Sequence, residues 1–272
     1  MRLPGTDTAP HTVGRKRVER MRSLLALLAG RAQDAPLTLD ELVAELGVSK
    51  ATLRRDLVVL EDERLVVRTH GGVRAGEGGS VQIPVRLRSA QTSATKQAIA
   101  RAAARLIPAG EPHTVAVCGG TTTAEVIRAL RHRTGLTVIT NALPLAVEAC
   151  TWSKVRVIIT AGLVRSHSLQ AVGPLSQGTF NLFTLATAVL GADGVSAEHG
   201  VTTHDEAEAR ATAAMIARAN RVIVVADGTK IGKATSAAVA ELTQVDDLVT
   251  DADADAAELD RIRGAGVNVH LA

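Results

Sequence analysis

Beyond Pro108 the chain is punctuated by short runs rich in β-branched residues: Val115 to Val117, Thr137 to Thr140, Val155 to Thr160, Ala188 to Leu190, Arg221 to Ala226 and Leu248 to Thr250. Helical segments alternate with them, a pattern that predicts βαβ units around a mostly parallel sheet, hence an α/β fold. Five of the runs end in glycine and small polar residues. Cys118-Gly119-Gly120-Thr121-Thr122-Thr123 follows the first, Thr140-Asn141 closes the second and Ala161-Gly162 follows the third. Gly191-Ala192-Asp193-Gly194 and Asp227-Gly228-Thr229-Lys230 follow the fourth and fifth. Open α/β sheets bind ligands outside the carboxyl ends of their strands, which puts all five loops on one binding edge.

The loop residues suit a phosphorylated ligand. Gly119 and Gly120 let backbone amides approach an anion, Thr121, Thr122 and Thr123 add hydroxyls at a helix N-terminus, and Lys230 adds positive charge. Thr140, Asn141 and Asp193 are positioned to hydrogen-bond sugar or polyol hydroxyls, and Gly162 lies on the same edge. Each loop taken alone reads as an ordinary turn or cap; the five together make the site. Cys118 has no histidine placed beside it and reads as a buried small residue rather than a nucleophile.

The first part of the chain has a different pattern. An apolar stripe through Val18, Met21, Leu24, Leu25 and Leu28 predicts one helix. Thr38 and Glu41 form a capping box ahead of Leu39, Leu42, Val43 and Leu46, Gly47 supplies a turn, and Ser49 caps the next helix. In that helix Leu53, Leu57 and Leu60 fall in one arc and face a core. Ala51, Thr52 and Arg55 then point outward, with Lys50 and Arg54 flanking. Small residues near a helix N-terminus permit close approach to a groove, and arginine offers bidentate bonds to guanine or phosphate. Leu65 to Arg68 reads as a wing strand, with Gly71-Gly72 turning the chain and Arg68 and His70 available to a phosphate or the minor groove. Ser49, Lys50, Ala51, Thr52, Arg54, Arg55, Arg68 and His70 are therefore the candidate contacts to double-stranded DNA.

Charge partition agrees with this. Residues 1–90 carry 15 Lys/Arg against 11 Asp/Glu, the remainder 16 against 17, so the basic surplus lies with the DNA motif. At 272 residues the chain is long for one domain. The expected division is a winged helix-turn-helix domain at 15–73, a linker at 74–90 around Gly76-Glu77-Gly78-Gly79-Ser80, and an effector-sensing domain at 91–272. Arg86, Arg88 and Lys96 follow on a connecting helix leading into Ile99 to Ile107, and for Arg86 simple solvation is the favoured reading. The two cysteines, Cys118 and Cys150, lack metal-ligand spacing, and no metal or cofactor is expected. No apolar run reaches the length of a membrane span, and Met1 to Gly14 lacks the apolar centre of a secretion signal, which makes the cytoplasm the expected compartment.

From about Arg17 to Thr250 the chain resembles the DeoR family of bacterial sugar-metabolism regulators. The resemblance is carried by the Ser49-Lys50-Ala51-Thr52-Leu53-Arg54-Arg55-Asp56-Leu57 run and Arg68-Thr69-His70-Gly71-Gly72. It continues through Lys96-Gln97-Ala98-Ile99-Ala100, Gly120-Thr121-Thr122, Thr140-Asn141, Gly191-Ala192-Asp193-Gly194 and Asp227-Gly228-Thr229-Lys230. It implies a winged helix-turn-helix followed by a Rossmann-like effector domain similar in fold to ribose-5-phosphate isomerase and coenzyme A transferases. It also implies a homodimeric or homotetrameric repressor of carbohydrate-metabolism genes, released from its operator by a phosphorylated sugar. Two positions depart from the pattern. Cys118-Gly119 stand where the family usually has Asp-Ser, removing a carboxylate and a hydroxyl from the ligand loop. Gly194 stands where the isomerases carry an acidic residue, which weakens an enzymatic reading. Two function classes remain: the DNA-binding regulator, and a sugar-phosphate isomerase or transferase with an appended DNA-binding domain and Asp193 as general base.

Overall fold

The computed structural model describes residues 15–29, 36–63, 65–76, 94–109 and 112–272. It divides into two compact units, one up to Gln91 and one from Thr92. The expectations for Met1 to Gly14, and for the linker from 77 onward with Arg86 and Arg88, lie outside the described residues.

The first unit contains α1 (Arg15–Ala29), α2 (Leu39–Leu46), α3 (Lys50–Asp62) and a hairpin of β1 (Val66–Thr69) and β2 (Gly72–Ala75). The second wing strand thus runs two residues past the limit of 73 expected from the sequence. Local chemistry sets the helix ends. Thr38 Oγ1 accepts the Glu41 amide at 3.2 Å while Glu41 Oε2 accepts the Thr38 amide at 2.7 Å, so two otherwise orphaned N–H groups at the start of α2 are satisfied. Gly47 stops the helix in the left-handed conformation, φ 62°, its N–H bonded to the Val43 carbonyl. Ser49 Oγ then accepts the Thr52 amide at 3.2 Å and starts α3. Met21, Leu24 and Leu28 of α1, Leu42 of α2, Leu53, Leu57 and Leu60 of α3, and Val66 and Val73 of the hairpin close one core.

Two features hold this unit together beyond apolar burial. Asp56, 1% exposed, receives Arg17 Nε at 2.6 Å and Arg20 Nε at 2.5 Å, which ties α1 to the inner side of α3. Either arginine alone still pairs with the carboxylate; losing both would leave Asp56 an uncompensated buried charge, at a cost of about 3–5 kcal/mol. The other feature corrects the expected wing turn. His70 and Gly71 make the turn, whereas Gly72 is already in the strand, paired with Thr69. Gly72 has φ +150°, and a Cβ there would lie 2.7 Å from the Leu37 carbonyl carbon. Its bare backbone lets Leu37 exchange two hydrogen bonds with Val73, at 2.9 and 2.8 Å, as a third element of the wing.

The second unit begins with α4 (Ala94–Leu106). It continues as β3 (His113–Val117), α5 (Thr121–Ala129), β4 (Leu136–Thr140), α6 (Leu143–Ala149), β5 (Val155–Ile159), β6 (Leu163–Arg165), β7 (Gln170–Val172) and α7 (Pro174–Asn181). There follow β8 (Thr187–Gly191), β9 (Gly194–Ser196), β10 (Gly200–Thr203), α8 (Glu206–Ile216), β11 (Val222–Val225), β12 (Ala237–Ala240), β13 (Asp247–Thr250), α9 (Ala256–Gly264) and β14 (Asn268–Leu271). Seven strands form one sheet in the order β14-β13-β11-β8-β3-β4-β5, and every pairing in it is parallel.

Alternate strand residues feed two cores, as burial on both faces of a parallel sheet requires. Ala116, Ala188, Leu190, Val222 and Val224 pack with Phe180 of α7, Met215 of α8 and Ile262 of α9. Val115, Val117, Val138, Val189 and Ile223 pack with Ile99 of α4, Val126 and Ile127 of α5 and Leu145 of α6. The strand order reverses at β3: the chain leaves it sideways through β4 and β5, then returns to lay β8 on its other flank. A crevice between the carboxyl ends of β3 and β8 follows from that reversal.

Candidate functional site

On α3 the outward face is as the helical angles predict: Ala51, Arg54 and Arg55 are exposed and Thr52 is half-buried. The eight candidate residues differ in how free they are. Lys50 Nζ lies 2.5 Å from Asp40 Oδ1, and Arg68 Nε lies 3.1 Å from Glu61 Oε2 with a second bond to the Arg54 carbonyl. The hydroxyls of Ser49 and Thr52 are 2.9 Å apart, so capping occupies both. Arg54 and Arg55 form no ion pair among the described residues. His70 stands exposed in the wing turn. Sequence reasoning treated Asp56 as part of a recognition run. At 100° per residue it falls about 60° from Leu53 and about 40° from Leu60, next to the apolar arc, and that angle is the signal that it borders the core.

The five strand-end loops all lie at the carboxyl ends of parallel strands, and contacts join them. The Cys118 amide bonds to the Val189 carbonyl, linking the β3 and β8 ends. Asp193 lies 3.5 Å from Lys230 and accepts the Thr203 hydroxyl at 2.9 Å. The ammonium and the carboxylate therefore offset each other, and an anion drawn to Lys230 has to compete with Asp193. Thr121 is half-buried at the first turn of α5, Thr122 is 9% exposed, and Gly120 stands at the N-cap with no side-chain cap.

Four residues read as ligand contacts turn out to be engaged within the fold. Thr140 is fully buried: its hydroxyl donates to the Val117 carbonyl at 2.8 Å and accepts the Ala142 amide at 3.0 Å, so it pins the β4 end rather than a sugar hydroxyl. Thr123, also fully buried, bonds the Cys118 and Gly120 carbonyls. Gly162, φ +135°, is glycine because a Cβ would sit 2.5 Å from the Val172 carbonyl oxygen across the β6–β7 hairpin. The Gly119 amide is not open: Gln170 Oε1 accepts it at 2.9 Å.

Asn141 is fully buried, and its Nδ2 donates to the Ala171 carbonyl at 3.1 Å while its Oδ1 has no partner among the described residues. No sequence motif singles out Gln170, which reaches Gly119 across 51 positions. Nor did it single out Arg165, which pairs with Asp205 at 2.9 Å and with Glu208 and so ties the hairpin to α8. Burial pushes the Cys118 thiol up to about 11, with nearby Glu208 adding to the effect, so the group is neutral at physiological pH.

Among the described residues no cluster of side chains is suited to a metal, and no helix is long and apolar enough to cross a membrane. The family described as the DeoR-like helix-turn-helix domain matches residues 20–77, and the DeoR C terminal sensor domain matches residues 91–252. A helix-turn-helix-type transcriptional regulator of Haloferax volcanii is 32% identical over 92% of this chain and 96% of its own. The glycerol-3-phosphate regulon repressor of Escherichia coli K12 is 30% identical over 87% of this chain and 92% of its own. A ribose 5 phosphate isomerase A from Neisseria gonorrhoeae overlaps 52% of the chain and 53% of its own, with 15% identity and a TM-score of 0.35. The sequence relatives are regulators rather than enzymes, so the isomerase alternative with Asp193 as general base is set aside.

Proposed function

Because the chain belongs to the DeoR family of transcriptional regulators, we propose that it represses carbohydrate-metabolism genes by binding operator DNA through α3 and the β1–β2 wing. A phosphorylated sugar or related metabolite releases it. The observation that supports the sensing half is the strand reversal at β3, which leaves the loop of Gly119, Gly120 and Thr121 and the loop of Asp193 at the carboxyl ends of the neighbouring strands β3 and β8, where open α/β sheets have their ligand crevice, with Lys230 3.5 Å from Asp193. The reading agrees with the glycerol-3-phosphate regulon named for one relative. The regulator works in the cytoplasm as a homodimer or homotetramer. Exposed Ile159 on the edge strand β5, with exposed Leu163 and Val164 in the β6 strand that follows it, supply apolar surface for pairing with a second copy. A dimer reading two half-sites spaces them by about one helical turn, roughly 34 Å, or a multiple of it.

For the ligand to act at the operator it must bind one arrangement of the oligomer better than another. The test is a thermal-shift screen of phosphorylated sugars against their unphosphorylated forms, followed by a mobility-shift assay with DNA flanking the gene. A phosphorylated compound is expected to raise the melting temperature and release the DNA, because binding stabilises the native state by mass action. Shifts equal with and without the phosphate group would sink the phosphate-sensing reading.

A further inference from the structure

The crevice already holds an occupant. Gln170 is 5% exposed, and its Oε1 takes the Gly119 amide in the way a ligand's anionic oxygen would. The fit depends on Gly119 having no side chain, since a Cβ there would lie 2.5 Å from Gln170 Cγ. The backbone on either side of Gln170 is pinned: the Leu143 amide bonds the Leu169 carbonyl at 3.0 Å and the Ala171 amide bonds the Asn141 carbonyl at 2.7 Å. Leu169 itself sits at φ +54°. A left-handed conformation is unfavourable for any residue with a Cβ, and here it belongs to the turn that presents the carboxamide.

On residues that adjoin Gln170 in the chain or bond its neighbour Ala171 are two buried polar atoms without a partner among the described residues: Asn141 Oδ1, whose Nδ2 donates to the Ala171 carbonyl, and Ser168 Oγ, two positions before Gln170. Asn141 is fully buried and Ser168 is 5% exposed. Orphaned polar atoms at such depth are costly and need an explanation, and a bound polyol would supply partners for both.

We propose that the Gln170 carboxamide is an internal stand-in for the effector's anionic group, so that the effector binds only by displacing it and Gln170 sets the concentration at which the protein responds. This rests on the reading of the crevice as a phosphate-sensing site. Displacement exchanges one neutral hydrogen bond for a charge-assisted one, which leaves a net gain for an anion and none for an uncharged sugar. Truncating the competitor strengthens anion binding, and replacing it with a carboxylate weakens it. A carboxylate takes the same amide more firmly and repels the incoming charge.

The experiment titrates inorganic phosphate into the full-length wild-type, Gln170→Ala and Gln170→Glu proteins by calorimetry, with unligated melting temperatures and far-ultraviolet spectra as the measure of folding. Gln170→Ala is expected to bind phosphate about 2- to 10-fold more tightly than wild type, the worth of one hydrogen bond. Gln170→Glu is expected to bind it more weakly. A merely structural role for Gln170 would weaken binding in both variants. Unchanged or weaker binding by Gln170→Ala, beside a wild type that binds, would overturn the stand-in and leave the sensing site standing. If neither wild type nor Gln170→Ala bound phosphate, the sensing reading would fall and the stand-in with it. Should Gln170→Ala fail to fold, Gln170→Ser, whose hydroxyl is too short to take the Gly119 amide, is read in its place, and unchanged or weaker phosphate binding by it overturns the stand-in.

Discussion

Arg55 and Lys50 are both exposed on the recognition helix, yet they are not equivalent. Lys50 has Asp40 within 2.5 Å, and the pair has to be broken or shared before the ammonium serves a phosphate. Arg55 carries no such restraint among the described residues. Arg55→Ala is expected to lower operator affinity by about 1–3 kcal/mol if its guanidinium reads a base, with a smaller loss for Lys50→Ala. Mobility shifts at one fixed salt concentration decide this, and equal losses would show that Asp40 restrains nothing. Which side of α3 each residue occupies was legible from 3.6-residue periodicity alone. How free each side chain is was not, because Asp40 and Glu61 meet Lys50 and Arg68 only once the elements are packed.

At the scale of elements, the strands of the large sheet were readable because Val, Ile and Thr crowd them. Its last strand, β14, and the small strands were not. β6, β7 and β9 span three residues each, and Ala237–Ala240 reads locally as helix, so only pairing with β10 makes β12 a strand. Glycines were recognised as turn residues, while the reasons for Gly72 and Gly162 lie in distant backbone, at Leu37 and Val172.

One interelement clamp has a pH signature. Asp247 of β13 receives Arg221 Nε at 2.7 Å, ahead of β11, and His270 of β14 at 2.8 Å. Burial works to raise its pKa, but the bonds from Arg221 and His270 outweigh burial and hold it below the ordinary carboxylate value. A depressed carboxylate contributes stability above its unfolded pKa, about 3.9, and loses that contribution as pH falls through the folded value. Asp247→Asn is therefore expected to cost about 1–3 kcal/mol at pH 7 by urea denaturation. The gap to wild type should shrink progressively below about pH 4; a gap constant down to pH 2 would exclude an ionic origin.

The whole molecule presents two units with separate cores, matched to a DNA-binding and a sensor family respectively. That division was legible from the change of period and from charge, and so was the placing of the five loops at the carboxyl ends of parallel strands. The internal competitor at that edge was not, since Gln170 lies in a stretch with no motif of its own. The apolar surface around β5 makes a prediction at this scale. Leu163, beside the β5 edge, is 75% exposed, and Leu182, after α7, is 79% exposed. The double variant Leu163→Asp, Leu182→Asp is expected to run as a smaller species on size exclusion with light scattering while keeping its far-ultraviolet spectrum. An unchanged mass would place the contact between copies elsewhere.

The Asp56 cluster has a consequence for how the protein meets its operator. Arg17 and Arg20 count toward the basic surplus of the first 90 residues, but a buried carboxylate already holds them, and Lys50 and Arg68 are matched by Asp40 and Glu61. Displaced sodium or potassium ions track the cations that actually reach phosphates, so affinity should fall with ionic strength less steeply than the residue count implies. Recognition by this chain then depends comparatively more on groove contacts and less on long-range attraction, which limits the time it spends on unrelated DNA.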